Sequence, residues 1–354
     1  MHITIGILAY NEEATIRRTV ESLFAQTVFA PSNLRSAGHQ WEVLVVPNGC
    51  KDRTADVAAR ALADAIAPLP EGLVSARVES LAQAGKSRAW NALVHRLAKP
   101  DTDLFVMIDA DIEFGHPETI ASSVTCLLSH PTARVVVDLP LKDFTRKERL
   151  SWVESFSARM SRHAQESAPG IAGSFYCARA ATLRDVWMPE GISVEDGFLA
   201  AMVSTNAFRE PPRGDCIVRA PNATHYFEGL TNLRSIVNHE VRLVIGTALN
   251  CYLCWDALLF LTPRARTGAG ETIRQLNEQH PEWYRDMMTN CIRNRGLWVL
   301  PRGMLFRRFD GWRGLTWGAR LRRLPLSLAA FAFDCVALSL ANARLRAGRG
   351  IGYW

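Results

Sequence analysis

The sequence predicts an α/β protein in which a mixed, mainly parallel sheet flanked by helices is followed by a mostly helical C-terminal region. Three observations carry this. Short apolar runs alternate with helical periodicity through the first third of the chain. Acid-rich polar segments fall where those runs end, the edge at which open parallel sheets bind ligands. The last quarter changes composition and becomes rich in Arg and Trp. With 354 residues, 48% hydrophobic and 21% charged, the chain holds one large domain plus an appended region. That composition excludes disordered, collagen-like and coiled-coil chains.

Residues 3–9 are an apolar run closing at Tyr10-Asn11-Glu12-Glu13, and the first strand is placed there. Ile16, Val20, Leu23 and Phe24 then share one helical face. Residues 41–46 give the second strand, closed by Pro47-Asn48-Gly49. An Ala-rich helix follows over residues 52–66, with Asp52 or Thr54 as its cap. Val74–Val78 is a weaker strand, and Gly85-Lys86-Ser87 opens a helix running to Leu97. Residues 104–108 are continuously apolar, as a buried parallel strand requires, and end at Asp109-Ala110-Asp111.

Met1-His2-Ile3-Thr4-Ile5-Gly6-Ile7 lacks the basic flank of a secretory leader and reads as a strand. The 8 Cys are scattered, so a reducing, cytoplasmic setting is expected in place of a disulfide framework. Cys251-Tyr252-Leu253-Cys254 is a lone pair without the partners of a zinc site and reads as buried structural thiols.

Asp109 and Asp111 leave a strand two residues apart, so their carboxylates point the same way. Two close like charges call for a cation, and hard oxygen ligands suit Mg²⁺ or Mn²⁺ bridging to phosphate. The spacing alone also suits a solvated turn with an N-cap Asp ahead of the helix after Pro117.

The net charge of +6 is unevenly placed. Residues 264–354 hold sixteen Arg, no Lys and six acidic residues, a local +10, and six of the ten Trp lie from Trp255 onward. Such a composition suits an anionic membrane surface. A solvated Arg-rich face is the plain alternative, and no nucleic-acid motif accompanies the charge. Residues 243–261 and 324–341 are apolar and long enough to cross a bilayer, yet carry Asn250 and Asp256, and Pro325 and Asp334. An Asp at mid-bilayer costs about 2.5–3.5 kcal/mol, which favours helices lying on the bilayer or re-entrant over true spans. A buried helical subdomain is the rival.

Several segments in order resemble family-2 glycosyltransferases of the GT-A fold: residues 7–13, residues 45–54, and Gly85-Lys86-Ser87-Arg88-Ala89-Trp90-Asn91. So do the Asp109–Asp111 pair, Gly173-Ser174-Phe175-Tyr176 with Arg179, and Glu195-Asp196. The resemblance spans roughly the first 245 residues. It implies transfer of a sugar from a nucleotide-diphosphate sugar, with Mn²⁺ or Mg²⁺ on Asp111 and Asp109. Ala9, Tyr10, Glu12, Asn48 and Lys86 would line the nucleotide side. Asp196 would be the general base, positioned by Glu195, and a base opposite the leaving group implies inversion. His225 falls where relatives place a metal-binding His, and a satisfied structural His is its rival. Asn48 stands where many relatives carry Asp. Arg242 is expected to meet the diphosphate, although the Gln-x-x-Arg-Trp motif of processive synthases is absent: Leu243 follows Arg242.

The expectation is therefore a catalytic domain over residues 1–240 and an Arg/Trp-rich helical region over 241–354 that associates with a membrane. The expected reaction is inverting, metal-dependent transfer to a lipid-linked or envelope-glycan acceptor, at the inner face of the cell membrane and without nucleic acid. A soluble enzyme with a small or glycan acceptor, and an inactive sugar-nucleotide-binding scaffold, are the alternatives. Nucleotidyl transfer lacks its Gly-rich phosphate loop near residue 10. A dinucleotide oxidoreductase lacks G-x-G-x-x-G after the first strand.

Overall fold

The structure is a computed structural model and describes residues 1–147, 149–151, 154–155, 169–257, 268–312 and 314–352. The N-terminal elements are β1 (His2–Ala9), α1 (Ile16–Phe24), α2 (Pro31–Ala37), β2 (Gln40–Pro47), α3 (Thr54–Ile66), β3 (Val74–Val78), α4 (Lys86–Ala92) and β4 (Leu104–Asp109). There follow β5 (Glu113–Phe114), α5 (Thr119–Ser129), β6 (Val135–Lys142), β7 (Phe175–Arg179), α6 (Ala180–Arg184), α7 (Glu195–Ser204) and β8 (Ile217–Phe227). The C-terminal helices are α8 (Leu233–Cys251), α9 (Ala269–Gln279), α10 (Trp283–Arg293) and α11 (Trp317–Arg346).

The described strands form one eight-stranded sheet in the order β3-β2-β1-β4-β7-β6-β8-β5. β3, β2, β1 and β4 run parallel, so Pro47, Ala9 and Asp109 finish at one edge. β7 is antiparallel to β4 and pairs Phe175 with Ile108. The chain entering β7 therefore sits beside the end of β4.

Both faces of this sheet are covered, which explains the unbroken apolar runs. On one face Ile3, Ile5, Ile7, Val43 and Val106 pack against Ile16, Val20 and Leu23 of α1 and Leu62 of α3. On the other, Leu44, Phe105 and Met107 share a single cluster with Trp90, Leu93, Phe198, Val244, Leu249 and Leu338. Each such side chain contributes about 1.5–3 kcal/mol of hydrophobic stabilisation.

Local signals set the helix ends. Pro31 opens α2, whose C-cap, Gly38, has φ +61°. Asp52 accepts from the Thr54 backbone N–H (3.1 Å) at the start of α3, so the helix begins two residues later than the periodicity places it. The helix expected to Leu97 is regular to Ala92 and then widens into a π-turn over Leu93–Leu97. Leu93 in that turn packs on Gly6, where a Cβ would lie 2.4 Å from it.

The first apolar run of the tail departs from expectation. Over the described residues it lies within α8 and a π-turn, Tyr252–Ala257, and Val244, Ile245, Ala248, Leu249, Tyr252, Leu253 and Cys254 are buried. Protein covers that face, so this run is core rather than a helix lying on a bilayer; residues 258–261 are outside the described residues. Cys254 is buried and Cys251 half-buried, and all eight cysteines are free thiols.

Candidate active site

A cavity of about 320 Å³ opens at the shared carboxyl edge of β1, β2 and β4. It brings together Ala9, Tyr10, Glu12, Asn48, Lys86, Asp109 and Asp111, all selected from the sequence. The turn after β1 is built by Asn11, which takes a left-handed φ of 56° and accepts from the Lys51 N–H (2.8 Å). Glu12 is fixed through its own N–H, which donates to Thr54 Oγ1 (2.7 Å). Burial raises the Glu12 carboxyl above its ordinary range against the opposing bond from Thr15, and the charges of Asp111 and Asp52 add to the rise.

Asn48 is tied into the scaffold at both ends of its amide. Its Nδ2 donates to the Ala9 carbonyl (2.8 Å) and its Oδ1 accepts from the Gly85 N–H (2.9 Å). The buried amide thus staples the end of β1 to the loop that opens α4, and both of its ends are taken by backbone. Next to it Gly49 has φ +61°, and a Cβ there would lie 2.4 Å from the Ala84 nitrogen, so only glycine lets these loops meet.

Lys86 starts α4 and reaches back across the cavity floor. Its Nζ lies 2.8 Å from Asp109 Oδ1, 3.1 Å from Asp109 Oδ2 and 2.8 Å from Glu195 Oε1. Burial works to lower the ammonium, but Asp109 and Glu195 more than reverse it, and its pKa stands well above the ordinary lysine value. Burial pushes the Asp109 carboxyl up to about 6, against Lys86, with Asp111 and Glu195 adding to the rise.

A second cavity, of only about 10 Å³, shares Lys86 and Asp109 with the first and is lined by Trp90, Gly173, Tyr176, Glu195 and Asp196. Trp90 donates to the Tyr176 hydroxyl (2.6 Å), which fixes an aromatic wall. Glu195 and Asp196 open α7, where a helix N-terminus favours negative charge. Burial and the neighbouring Glu195 raise the Asp196 carboxyl. Burial acts on Glu195 in the same sense, but Lys86 outweighs it and holds Glu195 low. Gly173 passes close beneath the pair: its N–H donates to Asp196, and a Cβ would lie 3.1 Å from Glu195 Oε1. One residue on, the Ser174 carbonyl accepts from the Asp109 N–H (2.9 Å).

Arg242 projects from α8 toward the acid pair, and its charge acts on both Glu195 and Asp196. It does not line the cavity holding Tyr10 and Asp111. His225 on β8 is fully buried, with Nδ1 2.7 Å from Asp138 Oδ2 and Nε2 2.9 Å from Ser174 Oγ. Both ring nitrogens are committed to protein partners, and neither faces the Asp109–Asp111 pair. Arg179 is structural: it donates to the carbonyls of Ala133 (2.9 Å) and Leu127 (2.8 Å). The sequence reading missed Asp138, although an acid inside Val135-Val136-Val137-Asp138-Leu139 was a visible signal, and it missed the Trp90–Tyr176 pair.

The donor chemistry of Asp109 and Asp111 fits a hard divalent cation. Among the described residues no group of three or more His, Cys, Asp or Glu side chains gathers. Asp109 and Asp111 would be the cation's protein ligands, and one or two carboxylates beside phosphate and water suffice for Mg²⁺.

A family model described as glycosyl transferase family 2 matches residues 4–187, just over half of the chain. No curated protein matches. Among solved structures, a mannosyltransferase from Pyrobaculum calidifontis in complex with GDP-Man and Mn²⁺ superposes with a TM-score of 0.53 at 15% identity, over 96% of this chain and 85% of that one. Glucosyl-3-phosphoglycerate synthase from Mycobacterium tuberculosis, in complex with Mn²⁺, UDP and phosphoglyceric acid, gives 0.46 at 20% identity, over 70% and 78%. The fold is thus of the GT-A type, a mixed sheet flanked by helices with a helical C-terminal region.

Proposed function

The chain belongs to glycosyl transferase family 2, and from that premise we propose that it moves a sugar from a nucleotide-diphosphate sugar to an acceptor hydroxyl with inversion. The observation that carries this reading is the junction of two cavities at Lys86 and Asp109. One has the polar strand-end lining suited to a nucleotide diphosphate, and the other carries the acid pair.

The nucleotide lies along Ala9, Tyr10 and Glu12, with its diphosphate toward Lys86, Asp109 and Asp111. Asp111, with Asp109, would hold Mn²⁺ or Mg²⁺, which when bound supplies Lewis-acid stabilisation of charge on the departing diphosphate. Asp196 accepts the acceptor's hydroxyl proton while the acceptor oxygen bonds to the anomeric carbon. The bond from that carbon to the diphosphate oxygen breaks, and its electron pair leaves with the nucleotide. Glu195, clamped by Lys86, and Arg242 position the base. Gly173 donates to the Asp196 carboxylate and aims it at the acceptor side. The acceptor we assign is a lipid-linked or envelope glycan, in keeping with the Arg- and Trp-rich helices that complete the chain.

The test combines thermal shift with UDP-, GDP- and dTDP-sugars, with and without Mn²⁺, and turnover. A donor that binds the folded state alone raises its stability by mass action. One nucleotide class should stabilise the protein in a metal-dependent way, and Asp111→Asn should abolish this. Asp196→Asn should keep the donor shift and lose about 10²–10⁴-fold in kcat. Undiminished turnover in Asp196→Asn would overturn its assignment as the base.

A further inference from the structure

We propose that the outward face of α11 docks in the plane of an anionic lipid bilayer, as an interfacial helix and not as a span. Among the described residues α11 is the one helix long and apolar enough to cross a membrane, yet only 28% of its most apolar stretch is buried against the protein. A core helix of that composition would be mostly covered.

The two sides of the helix are chemically distinct. Ala330, Asp334, Ala337, Leu338, Ala341 and Leu345 face the protein and are buried. The opposite side presents Leu321 (71% exposed), Leu328 (50%), Val336 (53%) and Leu340, with the small residues Ala329, Ala332 and Ser339 between them. From Leu321 to Leu340 this apolar strip runs about 30 Å at helical rise. Trp317 (82% exposed) stands at its N-terminal end. At the other end, the side chain of Asn342 bonds the backbone of Leu297 and Val299, which brings the exposed Leu297 and Trp298 alongside.

Charge names the occupant. Exposed Arg322 stands beside the strip near its N-terminal end, and exposed Arg344, Arg346 and Arg349 lie at its C-terminal end. An apolar strip ended by Trp and flanked by Arg complements acyl chains under anionic headgroups. A symmetric second copy of the chain would set these Arg clusters against each other. The buried side excludes crossing: Asp334 is bound there by Arg307 and Arg308, with Glu240 of α8 beside them. A span would draw all four charges into hydrocarbon. Asp334, which in the sequence interrupts an apolar run, belongs to the protein-facing side.

This inference rests on the surface and is independent of the catalytic reading. The full-length chain is sedimented with vesicles of phosphatidylcholine alone, and with vesicles containing on the order of 30 mol% phosphatidylglycerol. Binding is expected to the anionic vesicles, to weaken with salt, and to be released by alkaline carbonate. Leu328→Glu with Val336→Glu should abolish it with an unchanged melting temperature. Arg322→Gln with Arg346→Gln should lower partitioning roughly 30-fold, as expected for two Arg near an anionic surface. No binding to either vesicle overturns the proposal. So does equal binding to both, retention after carbonate, or a dimer in solution that the Leu328→Glu, Val336→Glu variant converts to monomer. Donor-induced thermal shift, measured on the same samples, reports the catalytic reading separately.

Discussion

Lys86 Nζ stands 2.8 Å from Asp109 Oδ1 and 2.8 Å from Glu195 Oε1, so one ammonium serves the donor-side carboxylate and the acid pair at once. A divalent cation on Asp109 competes for oxygens that Lys86 already holds. At an effective dielectric near 20, an ammonium about 4 Å from a divalent cation opposes its binding by about 8 kcal/mol before screening and relaxation. Lys86→Met should therefore tighten Mn²⁺ binding on the order of tenfold, read by calorimetry on the nucleotide-free protein. The same substitution frees Glu195, and turnover should fall. Mn²⁺ affinity that stays constant or weakens would show that Lys86 assists the metal instead of competing with it.

The acid pair sets the pH dependence. Burial and Glu195 raise Asp196, which must be deprotonated to accept the acceptor's proton. Activity should fall as pH drops through that raised value, so the acid limb of kcat/KM should lie above the ordinary Asp pKa of about 3.9. Glu195→Gln removes the neighbouring negative charge and should move the limb to lower pH. Loss of the limb together with nearly all turnover would mean that Glu195 itself is the titrating base.

How much of this was legible in the sequence follows from where the partners lie. β1, β2 and β4 were readable because strands covered on both faces need unbroken apolar runs, and their polar ends mark the ligand edge. β5 is two residues long, and β6 is interrupted by Asp138 and Pro140, so neither presents a clean period. The strand-end residues named from the sequence lie together, since one cavity gathers seven of them. The use of each was less visible. Asn48 is a polar residue after a strand in either reading, and only its backbone partners at Ala9 and Gly85 show that it is a staple. His225 similarly finds Asp138 across the strand pairing of β8 with β6. Periodicity also marks residues 243–261 as apolar without saying whether protein or lipid covers them.

Gly246 places α8 against the start of α7. A Cβ there would lie 2.0 Å from Val194 Cγ2, immediately before Glu195 and Asp196. Gly246→Ala should overpack this contact, costing about 1–3 kcal/mol, and push the acid pair out of register. Turnover should drop more than donor-induced thermal shift, because the donor cavity is built from other elements. Val194→Ala added to Gly246→Ala should restore both stability and rate. Failure of that rescue would locate the role of Gly246 elsewhere, for example at helix flexibility.

Asp334 is fully buried on α11, bound by Arg307 at 2.9 and 3.0 Å and by Arg308 at 2.7 and 2.8 Å. Burial works to raise its carboxyl, but the two guanidiniums outweigh it and hold the pKa below the ordinary range. Removing both Arg strands a buried charge, and Arg307→Ala with Arg308→Ala should cost about 3–5 kcal/mol. Asp334→Asn, which keeps the shape and removes the charge, should cost less. The sign of the pH effect follows from linkage. A depressed carboxyl contributes stability that is complete above its unfolded value of about 3.9 and is lost as pH falls through the folded value. The melting-temperature gap between the parent protein and Asp334→Asn should therefore be full at neutral pH and close as the pH falls below about 4. A gap that stays constant into acid would mean that Asp334 is held by shape and hydrogen bonding, with its charge contributing nothing.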